Sequence, residues 1–80
     1  MKEIFSPTGI HSQLASRIQS LRIKRGWSQE TLAELANIHR NCIGHIERIE
    51  VNVGLTNLEK IASAFDMPLH EFLNMQTLQE

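Results

Sequence analysis

Three polar side chains between residues 40 and 45 have the chemistry to recognise hydrogen-bonding groups on the edges of nucleic-acid bases. The guanidinium of Arg40 can donate two parallel hydrogen bonds to guanine, and the carboxamide of Asn41 can donate to and accept from adenine. The imidazole of His45 follows one helical turn later on the same side and can donate to an acceptor on a base or a phosphate. These groups can act together only if one rigid element holds them all outward.

The same segment offers a second chemistry, because His39, Cys42 and His45 recur every three residues with Glu47 close by. Histidine and cysteine are zinc ligands, but ligands at this spacing span a wide arc of a helix, and Cys42 falls on the side expected to face the core. Zinc binding is therefore the weaker alternative, and we expect no metal and no other cofactor. No Ser/His/Asp set or carboxylate pair has a spacing suited to catalysis, so we do not expect an enzyme.

Length and composition set the frame for these side chains. The chain has 80 residues, 41% of them hydrophobic and 21% charged, which indicates one small folded domain. Its single cysteine cannot form an internal disulfide, which favours a reducing, cytoplasmic setting. The apolar runs are too short for a signal peptide or a membrane span, so no membrane partner is expected.

Charge is distributed unevenly along the chain, although the formal net charge is only −1. Residues 11–48 carry six cations against three anions, whereas residues 49–80 carry one cation against five anions. This segregation is compatible with two solvated faces and equally with a first half that binds a polyanion.

Apolar residues recur at helical spacing after residue 9. The stripe of Leu14, Ile18 and Leu21 predicts a first helix from about Ile10, which Gly26 should end. Later stripes predict four more helices. The second helix should begin at Ser28, and the third should run from about His39 to Arg48. The fourth should include Leu58 to Phe65, and the fifth should include Leu69 to Leu73.

These elements define a simple domain organisation. Residues 1–9 are expected to form a flexible arm, residues 10–75 one folded domain, and residues 76–80 a C-terminal tail. No stretch of alternating β-branched residues competes with the helical pattern. The predicted fold class is all-α, with five helices.

The second and third predicted helices, in residues 29–48, have the pattern of a helix-turn-helix. Two short helices joined by a tight turn must approach closely, which requires small residues at their contact, here Ala33 and Gly44. Asn37 suits the end of the first of these helices because asparagine tolerates left-handed backbone. In such a motif the second helix presents its outer side to the DNA major groove. An ordinary helical hairpin in a small bundle is the alternative at this point.

Beyond this motif, the sequence resembles the phage-repressor and Cro (Xre-type) helix-turn-helix family. The matching segments are RIKRGWSQE at 22–30, LA at 32–33, Ile43, IER at 46–48, LEKIA at 58–62 and LHEFL at 69–73. The resemblance covers about residues 14–73 and implies a compact, five-helix, lambda-repressor-like domain. Within the family, NVGLTNLEKIA at 52–62 is most similar to the controller proteins of restriction–modification systems, which are stand-alone dimeric regulators of about this length.

The resemblance also implies roles for particular residues. The N-terminal, solvent-facing positions of the third helix read bases, and these positions hold Arg40, Asn41 and His45. Arg22 and Glu47 occupy the positions of an ion pair that ties the first helix to the third and orients it. Contacts to the DNA backbone are expected from the start of the second helix and from the far side of the motif, at Ser28, Gln29, Arg48, Asn52, Thr56 and Asn57.

Several positions depart from the family pattern. His39 stands where Ser, Thr or Asp is preferred as a helix cap, so we expect the third helix to start less firmly. Gly44 replaces a common serine and should cost up to about 1 kcal/mol of helix propensity while allowing closer packing. Ile49 replaces a frequent terminating glycine, so the helix is expected to run on or end differently. Glu50 and Val51 lie in a loop that is often basic, which predicts that fewer phosphates are neutralised.

One recognition helix contacts only a few base pairs, so we expect a homodimer that reads a palindromic operator on double-stranded DNA. The resemblance points to the fourth and fifth helices as the interface, with Leu55, Leu69 and Leu73 as candidates and plain core packing as their alternative role. The predicted function is a sequence-specific transcriptional regulator, of the controller type, acting on its own promoter, with RNA polymerase as a further candidate partner. The alternatives are a phage or chromosomal Cro-like repressor, an antitoxin-type regulator, and a protein docking module that has lost DNA binding.

Overall fold

The computed structural model describes residues 5–75, which form five α-helices and, within that range, no β-strand. The helices are α1 (Gly9–Lys24), α2 (Gln29–Ala36), α3 (Cys42–Glu47), α4 (Leu55–Ala64) and α5 (Leu69–Phe72). The predictions of an all-α fold and of five helices are therefore confirmed. Residues 1–4 of the expected arm and the expected tail lie outside the described residues. In the described range no helix is both long and apolar enough to cross a bilayer.

The first helix begins at Gly9, one residue before the predicted start. The backbone N–H of Thr8 donates to Nδ1 of His11 at 2.9 Å, which satisfies a group that the first helical turn leaves without an intrahelical partner. At the other end Gly26 has φ +70°, a left-handed conformation that glycine adopts without a Cβ clash. Gly26 therefore reverses the chain directly after α1, as its position in the sequence predicts.

The core lies where α2 packs against α4, with α1 and α3 closing its other sides. Its largest fully buried side chains come from every helix or its last turn and are Ile18, Leu32, Ile43, Ile61, Phe65 and Phe72. Trp27, in the α1–α2 connection, stacks on Phe65 with ring centroids 5.4 Å apart, and Phe65 stacks on Phe72 at 6.2 Å. Offset stacking of this kind adds to the burial of the rings and joins the two halves of the domain.

Two arginines of the first half bind carbonyl groups at the ends of the last two helices. Arg17 donates from Nε to the Phe72 carbonyl at 3.0 Å and from Nη2 to the Glu71 carbonyl at 3.1 Å. Arg25 donates from Nη2 to the Phe65 carbonyl at 3.0 Å, and its guanidinium lies 5.2 Å from the centre of the Trp27 ring. Cations at helix C-termini satisfy orphan carbonyls and the negative end of the helix dipole. Part of the positive charge of residues 11–48 therefore holds the fold together.

The turn between α2 and α3 is longer than predicted, and α3 is correspondingly shorter. The helix expected from about His39 to Arg48 spans only Cys42–Glu47. His39 instead caps a tight turn, since its Nδ1 accepts from the Asn41 N–H at 3.1 Å and its carbonyl accepts from the Cys42 N–H at 2.9 Å. The departure at His39 thus shifts the first helical residue to Cys42 and places Arg40 and Asn41 in the turn.

The end of α3 has the geometry usually provided by glycine. Ile49 adopts φ +58°, a left-handed conformation that is strained for a β-branched residue. The helix therefore does not run on past this position, and the backbone N–H of Glu50 folds back to donate to the His45 carbonyl at 2.9 Å. Because the chain reverses here, the Glu50 side chain is brought onto the end of α3.

Candidate nucleic-acid interface

The predicted base-reading residues share one polar recess on the surface of the helix-turn-helix. The recess has a volume of about 300 Å³, and all seven residues that line it come from α2, α3 or the residues flanking α3: Gln29, Glu30, Arg40, Asn41, Gly44, His45 and Arg48. Arg40, Asn41 and His45 are each exposed. The structure thus brings all three together with Gln29 and Arg48 on one side of the molecule, although Arg40 and Asn41 precede α3 instead of lying on it.

A partly buried ion pair fixes α3 relative to α1 beneath this recess. Nε and Nη2 of Arg22 lie 2.8 and 3.0 Å from the two carboxylate oxygens of Glu47, whose side chain is only 5% exposed. The third donor, Nη1, binds the Trp27 carbonyl at 2.8 Å. The hydrogen bond to Glu47 outweighs the opposing effect of burial and raises the pKa of Arg22. Both carboxylate oxygens of Glu47 are bound, so its orientation, and that of α3, is fixed.

The two polar residues at the start of α2 are engaged within the fold. Ser28 caps the helix, because its Oγ accepts from the Thr31 N–H at 3.0 Å and donates to the Thr31 hydroxyl at 2.9 Å. Gln29 donates from Nε2 to Glu47 at 3.0 Å, so its carboxamide belongs to the same network as the Arg22–Glu47 ion pair. A phosphate at this helix terminus would therefore accept from backbone N–H groups first and from the second N–H of the Gln29 carboxamide next.

The exposed end of α3 carries a cluster of three charged or titratable side chains that sequence reasoning did not connect. One carboxylate oxygen of Glu50 lies 2.9 Å from Nδ1 of His45, and the other accepts from Nε of Arg48 at 3.1 Å. Because a carboxylate only accepts, Nδ1 of His45 carries the proton of this bond, which leaves Nε2 to contact DNA. The hydrogen bonds from His45 and then Arg48 lower the pKa of Glu50. The sequence does show a histidine, an arginine and a glutamate at 45, 48 and 50, which could have suggested this cluster. Their contact, however, depends on the reversal of the chain at Ile49.

The predicted backbone contacts beyond α3 are spread along the loop and the start of α4. Asn52 accepts through Oδ1 from Nε2 of His11, 3.3 Å away, which ties the loop to α1. Thr56 is exposed in the first turn of α4. Asn57 is half-buried, with its amide nitrogen 4.0 Å from the Cys42 sulfur. These three residues therefore do not line the recess that holds the base-reading candidates.

The residues of the alternative zinc site are not arranged as a ligand set. Within residues 5–75 no group of three His, Cys, Asp or Glu side chains is placed to hold a metal ion. Nδ1 of His39 is engaged by the Asn41 backbone, and Nδ1 of His45 is engaged by Glu50. Cys42 is half-buried against the core, and this burial raises the pKa of its thiol.

The candidate interface leucines differ in exposure. Leu55, the first residue of α4, is 70% exposed, which is the highest value among the large hydrophobic residues described. Leu69 and Leu73 are half-buried and pack against the core. Of the three, Leu55 thus has the apolar surface that a partner could cover, whereas Leu69 and Leu73 already contribute to the core.

Known proteins share both the sequence pattern and the fold. A helix-turn-helix family profile matches residues 18–72. The chain belongs to the helix-turn-helix family. It is 39% identical over 66 residues to the control protein C.SmaI of Serratia marcescens, an alignment that covers 82% of this chain and 79% of that protein. It is also 33% identical over 64 residues to a Neisseria meningitidis protein described as a hypothetical transcription factor, covering 80% of this chain but only 60% of the relative.

A solved structure gives the same answer at the level of the fold. The restriction–modification controller protein C.AhdI from Aeromonas hydrophila superposes with a TM-score of 0.75 and 37% identity, covering 81% of this chain and 98% of that one. As its sequence predicts, this helix-turn-helix protein is a DNA-binding transcriptional regulator with controller-protein homologues. The names of these relatives also support the prediction that the chain is not an enzyme.

Proposed function

We propose that this helix-turn-helix protein is a dimeric restriction–modification controller that binds a palindromic operator in its own promoter. The observation that carries the proposal is the recess on the outer side of the motif, where Arg40, Asn41 and His45 are exposed together. A guanidinium, a carboxamide and an imidazole within one recess match the donor and acceptor pattern of base edges in the major groove. The controller homologues, C.SmaI and C.AhdI, support the choice of this subtype over a phage or chromosomal repressor.

Base reading requires that the recess be presented in a fixed orientation. The Arg22–Glu47 pair and the bond from Gln29 to Glu47 hold α1, α2 and α3 as one unit. A rigid unit of this kind loses little conformational entropy on binding, so more of the contact energy contributes to discrimination between sequences. Exposed Lys24 and the N–H groups at the start of α2 are candidates for contacts to phosphate.

Dimerisation supplies the second half of the operator contact. Two recognition units related by a dyad and separated by one turn of DNA, about 34–36 Å, read the two halves of a palindrome. Leu55 provides an exposed apolar side chain for this contact, with Leu69 and Leu73 at the edge of the same half of the domain. Regulation then depends on protein concentration, and RNA polymerase is a candidate partner at the promoter. The proposed site of action is the cytoplasm.

An electrophoretic mobility shift with the DNA upstream of the protein's own gene tests the proposal. The wild type should bind this DNA more tightly than a scrambled fragment at every salt concentration, with the logarithm of affinity falling linearly with the logarithm of salt concentration. The Arg40→Ala variant should lose about 5- to 150-fold of the preference, which is the contribution of one bidentate contact to guanine. Lys60→Ala removes one positive charge from α4, outside the recess, and should keep it.

The possible outcomes separate the parts of the proposal. Equal binding to both fragments would contradict sequence-specific recognition and favour the docking module. If selection from a randomised DNA library yields a motif that the upstream region lacks, the protein is a specific DNA binder but does not act on its own promoter. A motif without two-fold symmetry would contradict the palindromic, dimeric mode.

A further inference from the structure

Arg48 lies on the recognition surface, which is the surface around the recess lined by Arg40, Asn41 and His45. Its place in the sequence, directly after α3, suggested only a contact to the DNA backbone. Its side chain reaches back across α3 and lines the same recess as Arg40 and Asn41. A Cβ atom on Gly44 would lie 3.0 Å from Nη1 and 3.6 Å from Nη2 of Arg48. Because Gly44 has no side chain, the guanidinium can occupy the outer surface of the helix at this point.

The guanidinium is held there by a charge partner. Nε of Arg48 donates to Glu50, so one edge of the guanidinium is already used. The terminal edge, formed by Nη1 and Nη2, has two parallel donors beside the recess, and Nη2 lies 3.5 Å from Nδ1 of His45. Two parallel donors of this kind match O6 and N7 of guanine.

We propose that Arg48 reads a guanine base edge instead of contacting a phosphate. Glu50 is its positioning residue, and the absence of a side chain at Gly44 leaves the space that the Arg48 guanidinium occupies. The proposal rests on the proposed function, since it presupposes specific binding to double-stranded DNA. Arg48 would thus be a specificity determinant at the C-terminal end of α3, in addition to Arg40 and Asn41 before the helix and His45 within it. A phosphate contact carries no sequence information, whereas a bidentate contact to guanine requires a particular orientation of the guanidinium, and the bond from Nε to Glu50 favours one orientation.

Selection from a randomised DNA library, followed by measured affinities for single-base variants of the selected operator, tests this assignment. Arg48→Ala should lose about 5- to 150-fold discrimination at one guanine in each half-site and keep the preferences at the other positions. Arg40→Ala should lose discrimination at a different base pair. If Arg48 binds phosphate, Arg48→Ala weakens binding to all sequences equally and lowers the salt slope by about one per protomer.

Two substitutions at Glu50 separate positioning from charge. Glu50→Ala and Glu50→Gln both remove one negative charge, so both should bind scrambled DNA more tightly than the wild type. Only Glu50→Gln keeps an oxygen that accepts from Nε of Arg48. We therefore expect Glu50→Gln to retain most of the guanine preference and Glu50→Ala to lose it. Equal preference in the two variants would overturn the positioning role.

Gly44→Ala tests whether the space beside Gly44 is needed for base reading by Arg48, and we expect this variant to fold. The Cβ would displace only the ends of the side chains of Arg48 and Gln29, because the nearest atoms outside the backbone of α3 are Nη1 of Arg48 at 3.0 Å and Oε1 of Gln29 at 3.2 Å. Discrimination at the guanine read by Arg48 should fall, and a thermal unfolding curve checks that the fold is intact. An unchanged guanine preference in Gly44→Ala would contradict the proposal. Failure of the wild type to select any sequence would instead contradict the proposed function itself.

Discussion

Arg22 and Glu47 face each other with both carboxylate oxygens bound by one guanidinium, at 2.8 and 3.0 Å, although they lie 25 positions apart in the chain. The pair connects α1 to the last residue of α3, and Gln29 adds a third donor from α2. Three helices therefore meet at one carboxylate directly below the recognition surface.

Removal of this carboxylate should be among the most damaging single changes. Glu47→Ala leaves the mostly buried guanidinium of Arg22 without its partner, and we expect a loss of about 3 kcal/mol in the free energy of unfolding. Urea denaturation measures this loss. Glu34→Ala, on the exposed side of α2, is the control and should change stability by less than about 0.5 kcal/mol. A loss below about 1 kcal/mol for Glu47→Ala would show that the pair matters little for stability.

A stabilising change is expected at the end of α3. Ile49→Gly removes the strain of a β-branched residue at φ +58°, and we expect a gain of about 1 kcal/mol, because Ile49 is not among the side chains packed on the core. Val51→Gly, in the same loop without a positive φ, should instead lose about 0.5–1 kcal/mol from chain entropy. Thermal unfolding compares the two. Destabilisation by both substitutions would argue against strain at Ile49.

Self-association should depend on the exposed leucine at the start of α4. Leu55→Lys introduces a charge where the side chain is 70% exposed, so the fold should persist while the dimer dissociates. Sedimentation equilibrium gives the dissociation constant. Leu35→Lys makes the same change at a 53% exposed position on α2 and should leave the dimer intact. If Leu55→Lys dimerises as strongly as the wild type, Leu55 lies outside the interface.

The carboxylate of Glu50 should remain ionised to lower pH than an isolated glutamate. Its pKa is lowered in the folded protein, so its contribution to stability is present above the ordinary glutamate pKa and is lost as the pH falls through the lowered value. An NMR titration of the Glu50 side-chain carbon measures the midpoint. Added salt should raise the midpoint, because the cluster is exposed. A midpoint at the ordinary value, unaffected by salt, would mean that the contacts with His45 and Arg48 do not persist in solution.

The thiol of Cys42 should react slowly in the native protein. Burial raises its pKa, so at neutral pH it is protonated, and the thiolate that attacks an alkylating reagent is scarce. We expect the rate of alkylation by iodoacetamide to rise only at a higher pH than for free cysteine. Denaturation in urea should abolish the difference. Rapid native alkylation at neutral pH would show that the thiol is more accessible than the structure indicates.

The helices and their ends were largely predictable because their signals are local. The stripe of Leu14, Ile18 and Leu21, the cap at Ser28 and the left-handed Asn37 each depend on a few neighbouring residues. The start of α3 was predicted wrongly because Nδ1 of His39 accepts from the Asn41 N–H and holds residues 39–41 in a turn, a role that the usual pattern of Ser, Thr or Asp caps does not include.

The contacts of the recognition surface were less predictable than the helices. The cluster of His45, Arg48 and Glu50 requires the chain to reverse at an isoleucine, a residue whose type argues against a left-handed turn. Arg17 and Arg25 bind carbonyl groups at least 40 positions away in the chain. The sequence does not reveal these contacts, so a count of charges along the chain assigned both arginines to the half expected to bind DNA. Net charge by segment therefore overstated the positive surface available to DNA.

Trp27 gives the protein a built-in optical reporter. It is the only tryptophan of the chain, and it lies against Phe65 and the Arg25 guanidinium at the junction of α1, α2 and α4. Its emission should change when these helices separate, so unlabelled protein can reveal whether the recognition half and the C-terminal half come apart in one step or in sequence.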